Sequence, residues 1–192
     1  MLTGGWRVGK IAGVNIYLHP SLLIIPALVI LSRWTVFSTR YPELETPTLL
    51  LLALAGAVLF FGSILAHELG HAFVSKARHI EVVGITLLFF GGLTQSRTDS
   101  RQPADEFLIT VVGPLINAAL GAVFYVLAHA TVSTNLPLAE TFDYLSYINF
   151  LVAIFNLLPG FPLDGGRMAR AIAWWRTGDR AKATRFAILN TN

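Results

Sequence analysis

The stretch TPTLLLLALAGAVLFFGSILA, residues 46–66, runs for 21 residues without a charge and leads directly into His67-Glu68-Leu69-Gly70-His71. A helix needs about 20 apolar residues to cross the hydrocarbon core of a bilayer. The run meets that length, so three ionisable side chains within five residues stand at the end of a membrane span. Even one such group inside a membrane helix costs roughly 2.5–3.5 kcal/mol or more, so a cluster of three calls for a function.

Three further apolar runs extend this reading. Residues 107–128 and 144–163 carry no charge, and residues 21–37 carry only Arg33. Hydrophobic residues make up 54% of the 192, charged residues 13%, and the mean hydropathy is +0.62. A soluble domain carries about 25% charged residues. The expected fold class is therefore membrane α-helical, with about four transmembrane helices near residues 21–37, 46–78, 107–130 and 144–160. The first run has the shape of a signal peptide, with Arg7 and Lys10 ahead of it, but no small-residue cleavage signature follows.

The remaining sequence completes one membrane core over residues 1–192. Within residues 1–18, Val8, Ile11, Val14, Ile16 and Leu18 flank Ala12-Gly13 in the pattern of two short strands. Residues 81–95 are apolar, too short to span and rich in strand formers, with Gly91-Gly92 as a turn or bulge. Together these segments predict a small β-sheet on one side of the membrane. The chain ends inside a basic helical stretch with no Gly or Pro stop, as a fragment of a longer protein does.

Charge sets the expected orientation. Twelve of the fourteen Lys and Arg residues lie before the first span, between the second and third, or after the fourth. Arg33 and Arg40 are the other two. The positive-inside rule then puts the N-terminus, the second connection, the sheet and the C-terminus in the cytoplasm. The net charge of +3 accompanies no basic and aromatic patch, so no nucleic-acid partner is expected. With no cysteine in the chain, disulfides, thiolate zinc sites and iron–sulfur clusters are excluded.

His67 and His71 stand at i and i+4, on one helix face and one turn apart. Two imidazoles so placed can share one zinc ion, and Glu68 beside them can take a proton from water. Helix capping or a polar cluster between helices is the alternative for this motif. Catalytic zinc has three protein ligands. His79 lies among charged residues in an interfacial position. Positions 74, 77 and 91 are Val74, Ala77 and Gly91, which fails the spacings of two soluble metalloprotease types. The better candidate is Asp164, in Asn156-Leu-Leu-Pro-Gly-Phe-Pro-Leu-Asp164-Gly-Gly-Arg167. Irregular backbone at membrane depth is tolerated where it lines a cavity or packs against protein. A plain helix stop accounts for the Pro and Gly residues there, but not for Asn156.

His67-Glu68-x-x-His71 followed by Asn156-x-x-Pro159-x-x-Pro162-Leu163-Asp164-Gly165-Gly166 resembles the site-2 protease family of intramembrane zinc metalloproteases. The resemblance covers nearly the whole chain and includes Gly113-Pro114 and Asn117 of the third run. It implies one zinc ion per chain held by His67, His71 and Asp164, with Glu68 as general base. It also implies that Asn156 lies by the active site, in support of the oxyanion. The implied reaction is hydrolysis of a peptide bond in a transmembrane or membrane-adjacent segment, in a multi-pass protein of a prokaryotic cell membrane. The second connection is too short for a PDZ domain, so the resemblance is to the compact branch. Further membrane helices and CBS domains, frequent in that branch, are absent from these 192 residues.

Several residues carry weaker expectations. Gly91 and Gly92 are candidates to receive an extended substrate by strand addition. Gly113, Asn117 and Gly121, at spacing four, read as a close-packing helix face. Trp174-Trp175 reads as an interfacial anchor. The competing functional class is a non-proteolytic membrane protein, either a metal transporter or an inactive relative that only binds substrates. A transporter needs polar residues along several spans, and here they gather at one depth.

Overall fold

Four long helices follow from the four apolar runs, and where each begins is set by local polar chemistry. A computed structural model describes residues 5–88, 91–96, 100–160 and 162–189, with backbone alone for 91–96 and 186–189. Residues 1–4 of the expected strand region, Arg97 and Phe161 lie outside the described residues. The helices are α1 (Ile24–Arg40), α2 (Thr46–Ala77), α3 (Pro103–Thr131) and α4 (Leu136–Leu157). With the 3-10 turn Pro20–Leu23 that leads into α1, all four are long and apolar enough to cross a membrane.

The apolar pattern does not by itself locate the helix starts. Pro residues stand in the first turns of α2, α3 and α4, where a missing N–H costs nothing. Asn135 caps α4 by accepting from the N–H of Leu138 at 3.1 Å. The helix thus begins eight residues before the uncharged run and carries Glu140 and Asp143, which lie ahead of the span expected near residues 144–160. Glu140 meets Arg40 at 3.0 Å, and this pair ties the end of α1 to the start of α4. Arg33, the charge inside the first span, lies between the rings of Phe37 and Tyr144 at 4.9 and 4.7 Å. Both contacts are of cation–π type.

Strands β1 (Trp6–Ile11), β2 (Val14–Leu18), β3 (Val82–Leu88) and β4 (Gly91–Ser96) form one sheet in the order β1-β2-β3-β4. Ala12 and Gly13 take positive φ, which makes the tight turn between β1 and β2. Strands β2 and β3 pair in parallel, and β3 and β4 antiparallel. Gly91 and Gly92 open β4, paired with Leu88 and Leu87, rather than forming the turn.

The sheet is fastened to the second half of α2. Val14, Ile16, Val82, Ile85 and Leu87 are buried against Leu22, Ala72, Leu65 and Leu69. Lys76 at the end of α2 donates to the Ala12 carbonyl at 2.6 Å. His79, at φ 58, turns the chain out of α2 and is exposed, consistent with an interfacial position. A second core cluster of Val29, Ala57, Phe60, Phe124 and Leu145 joins the helices. Leu51, Val58, Val126 and Ile154 point outward, exposed as lipid-facing side chains are. Two shorter helices follow, α5 (Asp164–Thr177) and α6 (Arg180–Leu189), and α5 packs on α3. Glu106 of α3 and Arg170 of α5 form an ion pair in which Glu106 is almost fully buried. Removing one member of a buried pair costs about 3–5 kcal/mol, so this pair pins α5 against α3.

Candidate metal centre

The second half of α2, held between the sheet on one side and α3 on the other, directs His67, Glu68 and His71 inward. All three are at most 6% exposed. The third group arrives from a different part of the chain. After α4 ends at Leu157, the segment containing Pro159 and Pro162 turns back tightly. Gly160 donates to the Leu158 carbonyl and Leu163 to the Gly160 carbonyl, both at 2.8 Å. Asp164 then opens α5 and reaches the histidines. A Cβ on the next residue, Gly165, would run into the carbonyl oxygens of Leu157 and Leu158, so only glycine allows this return.

Three ligand atoms converge. His67 Nε2 lies 3.0 Å from His71 Nε2 and 3.1 Å from Asp164 Oδ2, and His71 Nε2 lies 3.2 Å from the same oxygen. Four-coordinate zinc with N and O ligands sets its ligand atoms roughly 3.3 Å apart, close to this spacing.

Proton placement at His71 also fits a metal. Its Nδ1 faces the carbonyl of Ile109 at 2.6 Å. A carbonyl only accepts, so Nδ1 carries the proton and the Nε2 of the neutral ring offers a lone pair. His67 Nδ1 is engaged in the same way, 2.5 Å from Asn117 Oδ1. Two lone pairs and a carboxylate pointing at one another suit a divalent cation, and two imidazoles with one carboxylate form one of the ligand sets of catalytic zinc.

Space for the rings comes from α3. A Cβ on Gly113 would sit 2.5 Å from His71 Nε2 and 2.6 Å from His67 Nε2. Gly113 and Asn117 therefore belong to the centre, and not only to a packing face. The packing reading holds at Gly121, where a Cβ would meet the ring of Phe150 at 3.0 Å.

Family relationship enters on top of this geometry. The model of Peptidase family M50 matches residues 55–139 and 129–191, which takes in all three ligand groups. The chain belongs to peptidase family M50. A candidate zinc metalloprotease of Synechocystis is 39% identical over 180 residues, covering 92% of this chain and 46% of that one. A candidate zinc metalloprotease of Mycobacterium tuberculosis is 37% identical over 178 residues, covering 92% and 45%. The M50 chain thus spans about half the length of the curated relatives it matches. The solved structure of the site-2 protease from Methanocaldococcus jannaschii superposes with a TM-score of 0.65 at 29% identity. It covers 95% of this M50 chain and 77% of that one. An M50 fold with four membrane-length helices makes this an integral membrane protein.

Asn156, Gly91, Gly92, Trp174 and Trp175 are not among the three convergent ligand groups. Asn156 is half-buried and donates from Nδ2 to the Val152 carbonyl at 3.0 Å, on its own helix. Gly91 and Gly92 are in β4, within the sheet that packs on α2. Trp175 is exposed on α5, and Trp174 stacks under Arg180 at 5.5 Å. His19 caps the turn before α1, and His129 is exposed near the end of α3. Asn149, not singled out in the sequence, is fully buried and accepts from Asn117 at 2.8 Å. An amide in the middle of an uncharged span was its one available signal.

Proposed function

We propose that this chain carries the catalytic core of an intramembrane zinc endopeptidase that hydrolyses a peptide bond in a transmembrane or membrane-adjacent segment of a protein substrate. The observation that carries the reading is the convergence of His67, His71 and Asp164 beside buried Glu68, inside a bundle of membrane-length helices. Membership of peptidase family M50 supports it.

His67, His71 and Asp164 would hold one zinc ion per chain. When bound, it supplies Lewis-acid activation of water and of the scissile carbonyl. Glu68 accepts the proton of the attacking water on its carboxylate and returns it to the leaving amine. Asn156 supports the developing oxyanion with the second hydrogen of its amide, the first being given to Val152. The direct test is cleavage of a model transmembrane peptide by the purified protein in detergent. Chelation should stop cleavage and added zinc should restore it. A metal transporter or a passive substrate binder would show no cleavage in any arm.

The substrate must be extended to expose its carbonyls, and β4 is the strand through which it would be received. Gly91 and Gly92 permit close backbone approach. Replacing both with Val should slow cleavage while zinc content stays normal. Equal loss of zinc and activity would assign the two glycines to folding.

In the proposed orientation the sheet, the basic end of α2, α5 and α6 are cytoplasmic, as the distribution of basic residues supports. The Arg40–Glu140 pair then lies at the other face of the membrane. Cysteines introduced at Ser96 and Ser133 should react with a membrane-impermeant reagent from opposite sides. Reaction of both from one side would overturn the orientation.

A further inference from the structure

Behind the metal centre, two amides from α4 and α3 form an unbroken hydrogen-bonded line that ends on His67 of α2. Asn149 of α4 donates from Nδ2 to the carbonyl of Leu145 at 2.8 Å. A backbone carbonyl only accepts, so this contact fixes which end of the Asn149 amide is the NH2 group. Its Oδ1 accepts from Asn117 Nδ2 of α3 at 2.8 Å. That commits the donor end of Asn117, and Asn117 Oδ1 faces His67 Nδ1 at 2.5 Å. An amide oxygen also only accepts, so Nδ1 holds the ring proton. The Nε2 lone pair is left toward His71 and Asp164. Asn117 and Asn149 are both 0% exposed, in the middle of apolar helices where an unpaired amide is expensive. Neither can turn over without orphaning its neighbour.

We propose that Asn149 and Asn117 are positioning residues that hold His67 in the one tautomer able to ligate zinc, with Asn149 acting through Asn117. His71 needs no such relay, because its Nδ1 faces a backbone carbonyl that cannot rotate. His67 has only a side-chain amide there, and an amide presents a donor when it flips. Asn149 removes that freedom. The proposal rests on the zinc reading of the site.

The test is zinc affinity by chelator competition on the detergent-solubilised protein, with the visible spectrum of the cobalt-loaded form as a second readout. Loss of an outer partner of a ligating histidine costs roughly 10–100-fold in metal affinity. Asn149→Leu should show a loss of that size and an altered cobalt spectrum, although Asn149 touches no ligand. The double variant Asn117→Asp/Asn149→Leu should regain at least half of the lost affinity on a logarithmic scale. Aspartate has no donor end to turn toward His67. Zinc affinity unchanged in Asn149→Leu would overturn the relay, and so would a double variant no tighter than the single one, which points to packing. In zinc-loaded wild type, ring 15N shifts should show a protonated, hydrogen-bonded Nδ1 at His67, and an unprotonated Nδ1 there would also overturn it. His67→Ala is the control on the underlying assumption. Full zinc retention in that variant would sink the zinc reading itself, independently of either asparagine.

Discussion

Glu68→Gln should give a folded, zinc-loaded protein that cleaves a transmembrane peptide roughly 10²–10⁴-fold more slowly than wild type, the range that general base catalysis contributes. Gln keeps the shape and reach of the side chain and cannot take up a proton. His67, His71 and Asp164 are untouched, so metal content should not change. Glu68 is buried within α2, and Gln matches it in volume and shape, so the fold should be retained. The measurement is peptide cleavage followed by mass spectrometry, with zinc determined in the same sample. Cleavage at the wild-type rate with zinc present would rule Glu68 out as the base.

Asp164→Ala should have a comparably large effect by a different route. Asp164 Oδ2 is the only oxygen among the three convergent ligand atoms, 3.1 and 3.2 Å from the two imidazoles. Without it, two histidines remain, fewer than the three protein ligands of a catalytic zinc site. Zinc affinity should fall by more than the roughly 10–100-fold that loss of an outer partner costs, and cleavage should fall with it. Elemental analysis and X-ray absorption on the same preparation would check both. Zinc lost from His67→Ala but kept in Asp164→Ala would remove Asp164 from the ligand set.

Spacing within one element made part of this site legible. His67 and His71 are one helical turn apart, and any helix through them presents both on one face. The four spans were legible because each is an uncharged or nearly uncharged run of membrane length. The parts that stayed hidden depend on contacts between elements. Helical spacing alone does not distinguish Gly113, whose missing side chain makes room for two imidazoles, from Gly121, which makes room for Phe150. Both occur at the same helical spacing, and only the neighbour decides the role. Asn149 was invisible for the same reason, since its meaning lies in Asn117 across a helix interface. The start of α4 was misplaced because hydropathy reports the lipid-facing stretch, whereas the helix begins where Asn135 caps it. Asn156 was legible from its motif, and the structure adds that its amide donates to Val152 of its own helix.

The parallel pairing of β2 with β3 bears on biogenesis. A parallel pair cannot be closed by a tight turn and needs a long crossover. Here the crossover consists of α1 and α2, so the nascent chain passes through the bilayer and back before β3 can meet β2. Insertion of only one of these helices would leave the two strands on opposite faces of the membrane, with no possibility of pairing. The sheet is thus a checksum on helix insertion, read out before the metal centre exists. Four spans separate β2 from Asp164 and two of them follow β3, so the two strands are both made before the last of the three convergent groups is synthesised.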